Sequence, residues 1–281
     1  MSRRGAAVTV RLSSVFALAL VTLVGLLAFG WPFLADARFG EDHGHDAPWL
    51  FALLLSLLAL VLLAELTSAG LDAKAVAVLG VLAALGGALR VLSAGTAGLE
   101  PMFFLLVLGG RVLGPGAGFL LGNLALLAGA FLTGGVGPWL PFQMVACGWV
   151  ALGAALLPAF GERGERWLLA AYGVVASLGY GAVLNLWFWP FLTTGSAPTG
   201  AGFIPGEPVL DNLQHYAVFY LATSLGYDVP RAVLTAVLVV LAGPRVLATL
   251  RRAVRKARFD ANPEFRPGLR PSGSAPERTA A

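Results

Sequence analysis

The chain has 281 residues, of which 58% are hydrophobic and only 12% charged, and its mean hydropathy is +0.80. A soluble domain carries about twice that charged fraction, so a soluble globular fold is excluded. The formal net charge of +4 does not mark a nucleic-acid binder, because the basic residues gather at the two ends: Arg3, Arg4 and Arg11, then Arg245, Arg251, Arg252, Arg255, Lys256 and Arg258. Basic residues so placed flank membrane spans and meet anionic lipid. The apolar runs lack the alternation of barrel strands, so they predict an all-α polytopic bundle of about eight transmembrane helices.

Charges punctuate these helices in chain order. No charge falls between Arg11 and Asp36, which predicts a first helix over 13–33. Residues 47–64 predict a second, ending at Glu65, and residues 75–89 a third, between Lys74 and Arg90. The segment 101–113 is short but hydrophobic and is read as a span with Gly109-Gly110-Arg111 at its far end. Between Arg111 and Glu162 lie 50 uncharged residues, too many for one span and right for a hairpin. Its tip is Thr133-Gly134-Gly135-Val136-Gly137-Pro138. A further span runs from Arg166 to about Phe191, and a last one covers about 229–250. The stretch 212–227 stays open between an interfacial helix, a re-entrant segment and the start of the last span.

With the N-terminus inside, the inner segments hold Lys74, Arg111, Arg163, Arg166 and the basic tail. The outer ones hold the acidic loop 41–46 together with Glu100, Glu207 and Asp211. The positive-inside bias therefore places both termini in the cytoplasm. Ala35-Asp36-Ala37 resembles a signal-peptidase site, but the apolar run before it is longer than the usual signal core of about 7–15 residues. The single cysteine, Cys147, rules out an intrachain disulfide.

Three stretches carry a family resemblance. Gly80, Ala84 and Ala88 repeat every four residues and share one helix face, where small side chains admit a close neighbour. Leu108-Gly109-Gly110-Arg111-Val112-Leu113-Gly114-Pro115-Gly116-Ala117-Gly118 is a tight glycine-rich turn between two helices. Gly134-Gly135-Val136-Gly137-Pro138-Trp139-Leu140-Pro141-Phe142-Gln143-Met144, followed by Gly148-Trp149, enters a helix from outside with tryptophans and an amide at its mouth. Together with the lead-in Thr223–Ala232 to the last span, residues 74 to about 250 resemble the substrate-specific (S) component of energy-coupling factor (ECF) transporters, in a branch found in high-GC bacteria.

The resemblance implies a six-helix subunit that binds a vitamin from outside and docks on a transmembrane coupling subunit driven by two ATPases. It implies the bacterial cytoplasmic membrane and an S-component-like domain over 71–257; the two-helix extension over 1–70 departs from the family plan, and the Pro-, Arg- and Ser-rich tail over 258–281 reads as disordered and cytoplasmic. Gly80, Ala84 and Ala88 correspond to the docking face. The enlarged bundle and aromatic mouth look closest to S components assigned to cobalamin or a related corrinoid.

Candidate ligand contacts are the polar and aromatic groups of the spans and their outer ends. Arg90 either pairs with Glu100 across a short loop or meets an acidic part of the ligand. Asn123 and Asn185 lie in apolar helices, where an unpaired amide costs about 1–3 kcal/mol, so each needs a partner. Trp139, Gln143, Trp149 and Trp187 are read as ligand contacts, with an interfacial aromatic belt as the alternative for the tryptophans. Asp211, Gln214, His215, Tyr216 and Tyr220 form a polar, aromatic set expected to line or cap the outer pocket. His43 and His45 sit in the acidic loop and are read as solvated, so no metal and no cofactor are expected. Without a Walker motif the chain is not expected to hydrolyse ATP or act as an enzyme. The alternatives are a secondary transporter, which needs a carboxylate at mid-membrane, and a lipid-modifying membrane enzyme.

Overall fold

The computed structural model describes residues 12–34, 56, 59, 63, 73–93, 95–192 and 197–257. All regular structure among them is helical. Eight helices follow in chain order: α1 (Leu12–Leu34), α2 (Ala73–Val91), α3 (Met102–Leu113), α4 (Pro115–Thr133), α5 (Leu140–Leu156), α6 (Glu162–Phe188), α7 (Val209–Leu241) and α8 (Gly243–Ala257). The helix expected over 47–64 lies outside the described residues apart from Ser56, Ala59 and Leu63, which are helical, and the tail 258–281 lies outside them altogether.

The protein is a membrane protein. Four stretches are long and apolar enough to cross a bilayer: Lys74–Val91, Pro115–Thr133, Arg163–Phe191 and Val209–Leu241. Their outward faces carry Val81, Phe131, Val175 and Val233, all more than half exposed, as a lipid-facing surface must. By contrast α3 has 12 residues, about 18 Å at ~1.5 Å per residue, well short of the ~30 Å hydrocarbon core. It is a buried central rod instead of a full span: Phe103, Leu106, Val107 and Leu108 expose none of their surface. Helices α2, α4, α5, α6 and α7 all pack against it.

Close helix approach explains much of the glycine content. At Gly122 a Cβ would collide with the backbone carbonyl of Cys147, so α4 and α5 touch main chain to main chain. The helix α1 docks on α5 and α6. There Trp149 donates its indole N–H to the Thr22 hydroxyl at 3.3 Å, and Phe29 meets Phe142 edge-on with centroids 5.2 Å apart. The first helix is therefore packed into the bundle, against α5 and α6.

The structure chooses among the readings left open for 212–227 and corrects the expected bounds of the last span. The stretch 212–227 is continuous with it: α7 runs 33 residues through a π-helical turn at Tyr220–Ser224. The span does not reach residue 250, because the helix stops at Leu241 and restarts as α8 at Gly243-Pro244. Proline lacks the N–H and disfavours helix in the residue before it. Helix α8 turns Leu247 and Leu250 inward and leaves Arg245, Arg252 and Arg255 exposed. It lies across the ends of α2, α3, α6 and α7 as an amphipathic cover. This is the basic end of the bundle; Trp139, Trp187 and Trp189 mark the other, aromatic end.

Candidate functional site

At the aromatic end, α2, α5 and α6 bring four of the expected residues together. Arg90, on the last turn of α2, donates to the Gln143 amide oxygen at 3.2 Å, and Gly129 of α4 lies against its aliphatic stem. Trp139 donates to the Gly135 carbonyl at 3.2 Å and meets Trp187 edge-on at 6.2 Å. Trp187 in turn packs on Phe142 at 5.9 Å and Phe191 at 6.1 Å. The set offers a cation, an amide and aromatic faces, with Trp139 still 37% exposed. Next to it the 197–206 loop folds over Trp189, which is fully buried and donates to the Ala201 carbonyl at 2.7 Å. Asn212 clamps that loop by accepting from the Ile204 N–H at 3.0 Å and donating to its carbonyl at 2.8 Å.

The remaining expected contacts are engaged elsewhere. Trp149 faces α1 and Thr22. It also borders a cavity of about 200 Å³ between α5 and α6, smaller than the ~300–1,000 Å³ of typical ligand pockets. Asn123 is fully buried between α4 and α5, where its amide donates to the Phe119 carbonyl one turn back at 2.7 Å and its oxygen has no partner among the described residues. His215 lies 3.7 Å from the Glu207 carboxylate. Asn185, Tyr216 and Tyr220 are turned into the interface of α6 and α7. Asn185 donates to the Ser224 hydroxyl, Tyr216 to the Ala182 carbonyl, and Tyr220 to the Leu178 carbonyl at 3.2 Å.

That interface is a polar seam. From α6 it takes Gly173, Ser177, Gly181 and Asn185, spaced every four residues; from α7 it takes Ser224, Asp228, Arg231 and Thr235. At its centre Arg231 donates through Nε to Glu100 at 2.6 Å, and through Nη1 to Asp228 at 2.6 Å and the Ser177 carbonyl at 3.3 Å. The guanidinium also sits 5.0 Å from the ring centroids of Phe103 and Tyr180. Gly181 makes room for the carboxylate, since a Cβ there would overlap Asp228. Arg231 precedes the basic end of α7 by ten residues, about 15 Å along the axis and thus near the middle of a ~30 Å core.

Glu100 thus pairs with Arg231 and not with Arg90, which excludes one of the two readings of Arg90, and Asp228 and Arg231 lie inside a long helix and not at the start of a span over 229–250. Two carboxylates share one guanidinium here. Asp228 Oδ2, Ser177 Oγ and Thr235 Oγ1 are buried without a partner among the described residues. A sequence signal for the seam exists: small residues at four-residue spacing on α6, and an acid followed three residues later by an arginine on the facing helix.

No family model, curated protein or solved structure matches the chain.

Proposed function

We propose that the chain is the substrate-capture subunit of an ECF-type importer in a bacterial cytoplasmic membrane. In this reading it binds a vitamin, with a corrinoid such as cobalamin as the leading class, at the aromatic end and from outside the cell. It then docks on a transmembrane coupling subunit driven by two ATPases. The observation that carries the reading is the state of α2. Gly80, Ala84 and Ala88 form an exposed small-residue face that no described residue covers. The same helix ends at Arg90, within the group of Gln143, Trp139 and Trp187. One rigid helix therefore joins a small-residue face, uncovered among the described residues, with the polar and aromatic groups that would hold a ligand.

The test has two arms. Purified full-length chain in detergent is titrated with a vitamin panel that includes cobalamin, without nucleotide or metal, and one ligand is expected to bind saturably. A tagged chain is expected to co-purify an ATPase from its own host, and Ala84→Leu is expected to abolish that while leaving vitamin binding intact. Folded protein that binds no vitamin and captures no ATPase would refute the reading.

A second reading, an ion-coupled secondary carrier, is favoured by the Glu100–Arg231–Asp228 centre. It predicts solute uptake into proteoliposomes that lack ATP, driven by an imposed ion gradient and lost in Asp228→Asn.

A further inference from the structure

Two cavities at the basic end of the bundle are both bordered by α6 and α7. The first, about 420 Å³, lies between the start of α6 and helix α8 and is lined by Glu165, Arg166, Arg251, Arg252 and Arg255. The second, about 570 Å³, runs along the outer surface of α6 and α7. Its walls are apolar throughout, among them Trp167, Ala170, Val174, Val237, Val240 and Leu241. Their linings are neighbours along the chain: Arg166 lines the first and Trp167 the second on α6, and Val239 lines the first and Val240 the second on α7.

The charge in the polar cavity is unbalanced. Its single carboxylate, Glu165, already accepts from Arg111 at 2.8 Å and from Arg251 at 2.6 Å. Arg111 is saturated further by the Leu157 and Pro158 carbonyls at 2.6 and 3.1 Å. Arg166 stacks over the Trp167 ring at 5.2 Å, and its buried Nε has no acceptor among the described residues. Arg252 and Arg255 have no carboxylate partner among them either. Three guanidinium groups without a carboxylate partner among the described residues thus line a cavity whose neighbour on α6 and α7 is an apolar groove.

A ligand that complements both parts has an anionic head and a hydrocarbon tail. We propose that this pair of cavities is a binding site for one anionic phospholipid. Its phosphate lies among Arg166, Arg252 and Arg255, and an acyl chain lies in the groove where Ala170, Ala171 and Ala236 leave space between Trp167 and Leu241. The membrane around the chain supplies such a lipid at high local concentration. The proposal is independent of what the aromatic end binds.

Native mass spectrometry of the full chain, titrated with phosphatidylglycerol or phosphatidylcholine in a mild detergent, tests this. Wild type is expected to retain one phosphatidylglycerol in preference to phosphatidylcholine. Arg252→Gln with Arg255→Gln is expected to weaken that retention about 30-fold, from the usual contribution of two arginines at an anionic surface. Val237→Trp, which fills the groove from an exposed position, is expected to weaken it as well. Arg245→Gln, an exposed arginine of α8 outside the cavity, is expected to leave it unchanged. Equal retention of the two lipids, or retention indifferent to both cavity variants in folded protein, overturns the proposal. Competition by inorganic phosphate that persists undiminished in Val237→Trp also overturns it, in favour of a site for free anions.

Discussion

Replacing Arg231 by methionine tests the buried centre most directly. The side chain is 8% exposed, pairs with both Asp228 and Glu100 at 2.6 Å each, and rests on Phe103 and Tyr180. Methionine keeps much of the apolar contact but strands two carboxylates, one of them 3% exposed. Removing one partner of a buried ion pair costs about 3–5 kcal/mol. That is a large share of the ~5–15 kcal/mol by which folded proteins are stable, and corresponds to a fall in melting temperature on the order of 10 °C. The assay is built into the chain: Cys147 is its single cysteine and is fully buried, so a thiol-reactive fluorophore reports unfolding as it becomes accessible. Arg231→Met combined with Asp228→Asn and Glu100→Gln removes every charge of the centre and is expected to recover most of the lost stability, because a neutral replacement no longer buries an unpaired ion. If Arg231→Met melts within 2 °C or so of wild type, or the triple variant is no more stable than the single one, the centre does not hold α3, α6 and α7 together as argued.

Other expectations follow from single contacts. Gly122→Leu drives a side chain into the Cys147 carbonyl and is expected to abolish folded protein in size-exclusion chromatography, whereas Ala125→Gly on the same helix leaves it monodisperse. Trp149→Ala removes the ring that Gly25, Phe29 and Thr22 of α1 pack against. Proteolysis is expected to release the N-terminal segment from this variant while the remaining bundle stays intact. Trp139→Ala with Gln143→Ala strips the most accessible ring and the partner of Arg90. It is expected to weaken ligand binding at least tenfold, read by calorimetry, with an unchanged Cys147 melting curve; unchanged affinity removes both from the ligand site. Tyr216 is a poor target for that experiment, since its hydroxyl holds the Ala182 carbonyl and its ring packs on Trp189 at 5.0 Å, so its loss is expected to cost stability first.

The membrane character, the helical class and most of the helix boundaries were legible residue by residue. Placing a charge in hydrocarbon is costly wherever the chain goes, so uncharged runs between Arg11 and Asp36, after Lys74 and between Arg111 and Glu162 mark helices without knowledge of the fold. The hairpin tip at 133–138 was legible for the same local reason, as a cluster of turn residues. The limits of α7 were not, because its first half carries Asp211, Asn212, Gln214 and His215, which read as the boundary of a span until Asn212 is seen to bond Ile204 of the preceding loop, His215 to face Glu207, and Asp211 and Gln214 to be exposed. Nor could the chain order choose between Arg90, ten residues from Glu100, and Arg231, which is 131 residues away and takes it. Proximity in sequence favoured the first pairing. The tertiary structure decided for the second, because the loop ahead of α3 sets Glu100 beside the seam where α6 and α7 bury a guanidinium, and a buried charge must find its counter-ion wherever the packing puts one.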